Sequence, residues 1–197
     1  MQFCGRYFRI VDITSESENK KDITIISFWN KLLYLGCKCK HTSIYIKSHR
    51  GAYLETSAHI FRNGKHTHEI PLDKLILPVS IMSFKLAGNK REITAEDFEK
   101  QSGHVKKGDA LLACTSYKLN LKKPFPYFSK DAADWLARKG ISLFGSDTPR
   151  YDSGFATGKG FFLSAFKAEI PIIANLRNLD KIKKKRALLI VLPLNIK

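Results

Sequence analysis

Cysteine is scarce in this chain: four occur, at positions 4, 37, 39 and 114, too few and too scattered for a disulfide framework in 197 residues. Cys37-Lys-Cys39-Lys-His41 has the outline of a metal clip. However, Cys-x-Cys is not the wider spacing of structural zinc sites, and no second pair of that kind follows. Long apolar runs are lacking too. Ala187-Leu-Leu-Ile-Val-Leu192 falls far short of the about 20 residues that cross a bilayer, so no membrane partner is expected. Met1 to Arg9 carries Arg6 and Arg9 and has no signal-like apolar core, which predicts a cytoplasmic protein. Histidine is rare and unevenly placed, with none after His104.

Negative charge is in short supply: 18 acidic residues face 34 Lys and Arg, a net charge of +16. Such a chain repels its own copies and attracts anions. The lysines are spread out, with one dense run, Lys181-Ile-Lys-Lys-Lys-Arg186. No RNP-like motif, zinc-finger spacing or recognition helix accompanies it, so charge alone does not make a nucleic-acid partner. An anionic small-molecule ligand is the better expectation. An apolar share of 44% with 11% aromatics predicts a globular chain, read as one domain over residues 1–197.

Strands are expected at 22–28, at 42–48, where polar and apolar residues alternate, and at 78–86, 110–116, 140–145 and 187–192. Helices are fewer. Thr94-Ala-Glu-Asp97 has the form of a capping box opening a short helix to about Gln101. Ser129 to Gly140 is the clearest helix: Ser129 as cap, Asp131 in the first turn, Ala132, Trp135 and Leu136 on one face, Gly140 at the end. The reading is α/β, with a strand-rich mixed sheet and few helices.

The residues with the most chemistry lie in His49-Arg50-Gly51-Ala52-Tyr53-Leu54-Glu55-Thr56-Ser57-Ala58-His59. Two histidines bracket a carboxylate and a glycine. His66 and His68 follow, in a polar stretch where solvated histidines are commoner than ligands. A Ser/His/Asp arrangement using Ser57 and His59 lacks the Gly-x-Ser-x-Gly elbow. Cys114 sits in an apolar strand, as a small core residue does. Asp147 and Thr148 read as a turn before Pro149.

The order of these pieces resembles the cyclase family that includes bacterial kynurenine formamidase and isatin hydrolase. Its His-x-Gly-Thr-His-x-Asp-x-Pro-x-His frame falls on His49, Gly51, Ala52, Tyr53, Glu55, Ser57 and His59. Lys107-Gly-Asp-Ala-Leu-Leu-Ala-Cys-Thr-Ser116 is similar to its Gly-Asp strand, and Ala132 to Pro149 to its helix–strand–Gly-x-Asp block. Ile170-Pro-Ile-Ile-Ala-Asn-Leu-Arg-Asn-Leu-Asp180 is similar to its Glu-Asn-Leu-x-Asn-Leu segment. The resemblance runs from about Ser43 to the end. It implies a swivelling β/β/α-type domain, a homodimer or higher oligomer, and hydrolysis of amides or cyclic amides by a zinc- or manganese-activated water.

Carried over by position, the resemblance makes His49 and Glu55 metal ligands and gives His59 proton transfer, with Glu55 sharing in catalysis. The remaining ligand positions are lost: Tyr53 replaces the second histidine, Phe162 stands near the late histidine, and Ala174 replaces the glutamate. A two-metal site is therefore not expected. The ligand losses favour a non-catalytic, metal-free relative that binds in the family pocket. The alternative is a metal-dependent, arylformamidase-like hydrolase with a reduced site. In the first case Glu55 would pair with a lysine, and Tyr53 would pack in the old pocket beside Phe162.

Overall fold

A computed structural model describes residues 2–3, 6–7, 9–14, 23–32, 37–46, 48–86, 91–117, 125–152 and 160–194. Two antiparallel pairs come first: β1 (Gln2–Phe3) with β2 (Arg6–Tyr7), and the long hairpin β3 (Ile23–Leu32) with β4 (Cys37–Ile46). β4 starts earlier than the predicted 42–48 strand and ends at Ile46, so His49 lies beyond it in a turn. The side chains of Cys37, Cys39 and His41 are outside the described residues.

β5 (Tyr53–Glu55), β6 (Ile76–Ser83), β8 (Ala110–Cys114), β10 (Leu143–Ser146), β11 (Ile172–Ala174) and β12 (Arg186–Ile190) form a six-stranded sheet. Its order is β12-β6-β8-β10-β11-β5. The four inner strands run parallel, and both edges are antiparallel to their neighbours. A small parallel pair, β7 (Glu92–Ile93) with β9 (Tyr127–Phe128), lies apart from it.

Three helices accompany the sheet: α1 (Ala95–Glu99), α2 (Lys130–Lys139) and α3 (Phe161–Lys167). α1 opens on the expected capping box, with Thr94 N–H donating to Asp97 Oδ2 at 3.0 Å. Ser129 Oγ accepts the Ala132 N–H, and Gly140 ends α2 in left-handed backbone at φ 68°. α3 has no counterpart among the predicted helices.

β8, β10 and β11 are buried on both faces, as a parallel layer requires, so neighbouring residues point to different cores. Leu111 and Phe144 join Phe98, Phe128, Trp135, Tyr151 and Phe161 in a core rich in aromatic rings. Leu112 and Leu143 face Leu77, Val79, Ile173 and Leu189 on the other side. Asp147 ends β10 as a buried anchor: both carboxylate oxygens accept the Thr115 N–H, at 2.9 and 3.1 Å, and Oδ1 accepts the Thr115 hydroxyl at 2.6 Å. Burial pushes its carboxyl above the usual range against these bonds. That agrees with the structural role read for the Asp147-Thr148 turn.

Candidate metal centre

Three chain segments converge beside the β5 edge of the sheet. The first is the turn entering β5, where His49 has φ 63° and Gly51 φ 65°. Left-handed backbone costs a histidine about 1–3 kcal/mol, so the loop needs an external tie. Asn175 provides it: its Nδ2 donates to the Gly51 carbonyl at 2.9 Å. Asn175 itself follows β11, and its N–H donates to the Thr148 carbonyl at 3.1 Å.

The second segment is β5. Alternation places Tyr53 and Glu55 on one face, with Leu54 packed against the opposite core. The register sets Glu55 opposite Ile172 and Tyr53 opposite Ala174. The third segment is a 3-10 turn, Ser57–His59, whose His59 N–H donates to the Thr56 carbonyl at 2.9 Å. Gly64 lies against its backbone so closely that a Cβ there would sit 2.3 Å from the Ser57 carbonyl carbon.

These segments bring His49, Glu55 and His59 together. Glu55 is 7% exposed, and its Oε1 lies 3.0 Å from His49 Nε2 and 3.7 Å from His59 Nε2. Its other oxygen, Oε2, is buried and has no hydrogen-bond partner among the described residues. Burial pushes the Glu55 carboxyl up, against the pull of His59 and then His49. Among the described residues Glu55 pairs with these two imidazoles and with no lysine.

Do these groups fit a divalent cation? One potential ligand atom from each residue lies within 4.8 Å of the other two. Donors about 2.1 Å from one ion, at angles of about 90–110°, stand about 3.0–3.4 Å apart. The His49–Glu55 separation lies in that range and the His59–Glu55 separation just outside it. Two imidazoles and a hard carboxylate suit zinc or manganese, and Oε2 is a buried acceptor without a donor. His49 and Glu55 are spaced to share one cation, with His59 beside them just beyond ligand spacing. No second three-donor group of this kind occurs among the described residues.

The cluster opens on a cleft of about 610 Å³, lined also by Arg50, Tyr53, Arg150, Asp152 and Phe162. Tyr53 meets His49 edge-on, ring centroids 5.1 Å apart. Burial first, and then Glu55, pushes its phenol up to about 12, opposed by Arg150, so it stays a neutral donor. Phe162, on the first turn of α3, lies 6.3 Å from the His59 ring and 5.5 Å from that of Tyr151. Tyr53 and Phe162 thus face one cleft. The Asp152 carboxylate accepts the Phe161 N–H, and a Cβ at Gly160 would overlap it at 2.1 Å.

The other candidates fall elsewhere. His66 and His68 stack, centroids 5.7 Å apart, and the Glu69 carboxylate accepts the His66 N–H. Ser57 Oγ accepts the Lys65 N–H and donates to Glu169, so it is engaged away from His59. Cys114 is a buried strand residue whose thiol is pushed up by burial, as a core cysteine's is. The motif located His49, Glu55 and His59. It gave no sign of Arg150 or of the Asn175–Gly51 tie, because both depend on contacts distant in sequence.

The molecule is thus a mixed α/β sheet carrying a His/Glu/His cluster at one edge. The chain belongs to the Cyclase family, described as "Putative cyclase", whose model matches residues 11–153. Solved structures agree on the fold. A potential metal-dependent hydrolase with cyclase activity is 21% identical, with a TM-score of 0.71 over 95% of this chain and 90% of its own. Isatin hydrolase A from Labrenzia aggregata is 19% identical, with a TM-score of 0.73 over 96% and 88%. A predicted metal-dependent hydrolase from Bacillus stearothermophilus is 23% identical, with a TM-score of 0.68 over 89% and 85%. Comparison with curated proteins gives no match. Among the described residues, no helix is long and apolar enough to cross a membrane.

Proposed function

We propose that the protein is a single-metal hydrolase of amides or cyclic amides, with a site reduced relative to its family. The observation that carries this reading is the buried Glu55 carboxylate, set between two imidazoles with one oxygen unsatisfied. A carboxylate so placed costs free energy unless a cation or proton neutralises it. His49 and Glu55 would hold the ion. When bound, zinc or manganese lowers the pKa of water and polarises a carbonyl.

The chain's own groups account for the proton movements. His59 Nε2, beside the Glu55 carboxylate, accepts a proton from water, and the negative charge stabilises the imidazolium. The resulting hydroxide adds to the amide carbonyl carbon. Tyr53, protonated throughout, can donate a hydrogen bond to the developing oxyanion. The C–N bond then breaks, and His59 returns its proton to the amine. Tyr53 and Phe162 supply ring surface for an apolar substituent.

A metal-free binding protein is the second reading. It is favoured by Tyr53 opposite Ala174 and by Phe162, which together make apolar the side where further ligands would stand. Elemental analysis after purification with zinc and manganese supplied separates the two. Near-stoichiometric metal that falls away in His49→Ala and Glu55→Gln, with turnover of N-formylkynurenine or a cyclic amide, supports the hydrolase. No retained metal and no turnover would leave the binding reading.

A further inference from the structure

Arg150 is a charged residue of the cleft that the hydrolytic scheme leaves unused, and among the described residues its side chain has no hydrogen bond or ion pair. The carboxylates beside it are committed. Glu55 faces His49 and His59, and Asp152 caps the first turn of α3. Among the described residues, no carboxylate lies within ion-pair distance of Arg150, although it lines the cleft with them. Its charge also reaches the Tyr53 phenol on the cleft wall.

Its backbone is held from both sides. The Thr148 carbonyl accepts the Asn175 N–H at 3.1 Å, Pro149 restricts the preceding residue, and Tyr151 is fully buried. The Tyr151 hydroxyl donates to the Ile173 carbonyl at 2.6 Å. The planar fork of a guanidinium on this anchored segment matches a carboxylate with two parallel N–H donors. The positive charge of the whole chain favours the approach of an anion.

We propose that Arg150 is a specificity-determining residue that pairs with a carboxylate on the substrate, so that the preferred amides are anionic. This rests on the hydrolase reading for its turnover and on the cleft alone for its binding. A planar aromatic carboxylate amide meets every wall: carboxylate on Arg150, ring against Phe162 and Tyr53, scissile carbonyl toward Glu55 and His59.

Two measurements keep the proposal separable from the hydrolase reading. Binding of 2-aminobenzoate, followed by its own fluorescence, is measured on metal-supplied native protein, on Arg150→Gln and on Arg150→Lys. The native protein should bind it saturably. Arg150→Gln should bind about 10- to 100-fold more weakly, the loss expected of a charge-assisted pair, with Arg150→Lys between. Turnover of 2-formamidobenzoate is then compared with that of formanilide, which lacks the carboxylate. Arg150→Gln should raise KM for the first and leave the second unchanged. Saturable binding lost in Arg150→Gln without turnover by any form would uphold the Arg150 site and sink the hydrolase. Binding that is absent from the native protein, or equal in Arg150→Gln with its fold intact by circular dichroism, overturns the Arg150 proposal whatever the enzyme does.

Discussion

Tyr53 and Ala174 face each other across β5 and β11, and both occupy positions where the family resemblance calls for ligands. Directly opposed side chains of an antiparallel pair stand about 4.5–5.5 Å apart at Cβ, so the size of one constrains the other. The small alanine and the large tyrosine are a matched pair. Returning a donor to this face is therefore a direct test of how far the site has been reduced. Tyr53→His places an imidazole where a neutral phenol stands, beside His49 and on the same strand face as Glu55. It should tighten zinc binding about tenfold or more, read by competition with a chromogenic chelator. No tightening would mean that the face no longer points at the ion. The double change Tyr53→His, Ala174→Glu should gain less than the sum expected of two ligands, because Ala174 is fully buried in the aromatic core.

At the scale of the element, the segment after β5 holds its histidine through the chain's close approach at Gly64. The Ala58 N–H donates to the Lys65 carbonyl at 3.2 Å and the Lys65 N–H to Ser57 Oγ at 2.9 Å, leaving no room for a Cβ between. Gly64→Ala must therefore push the Ser57–His59 turn outward. Thermal unfolding should show a loss of about 1–3 kcal/mol, and metal retention should fall with it. Ser129→Ala is the control. It removes the α2 cap at about 1 kcal/mol and should leave metal retention unchanged. The same local-against-distant distinction decides what the sequence makes legible. α2 is readable because its cap, apolar face and terminating glycine are all within one stretch. α3 is not: Gly160 offers no capping side chain, and the acceptor for Phe161 N–H is Asp152, outside the helix. β5 has three residues, too few to show a period, and exists because β11, far along the chain, pairs with it. His49, Glu55 and His59 were legible as a motif, whereas the Asn175 tie and the placement of Arg150 come only with the folded topology.

For the molecule as a whole, Asp109 joins distant parts of the sheet through one buried carboxylate. Arg186 of β12 grips it with both Nη1 and Nη2, the latter at 2.9 Å. Ser80 of β6 donates to it at 2.8 Å and the Lys106 N–H at 3.1 Å, while Arg186 also donates to the His104 carbonyl. Burial alone would raise the Asp109 carboxyl, but Arg186, Ser80 and the Lys106 N–H outweigh it and hold the group below its ordinary value. The sign follows from linkage: a depressed folded pKa stabilises the fold above the unfolded value, about 3.9, and that gain is lost as pH falls through the lower folded value. Asp109→Asn should therefore cost about 1–3 kcal/mol near neutrality, leaving Arg186 without its anion. The gap in melting temperature between native protein and variant should close as pH falls below about 4. Both proteins gain positive charge in acid on a chain already at +16, so general repulsion lowers both curves and largely cancels in their difference. A gap that stays constant across the acid range would show that the carboxylate's charge is not what ties β12 to the sheet.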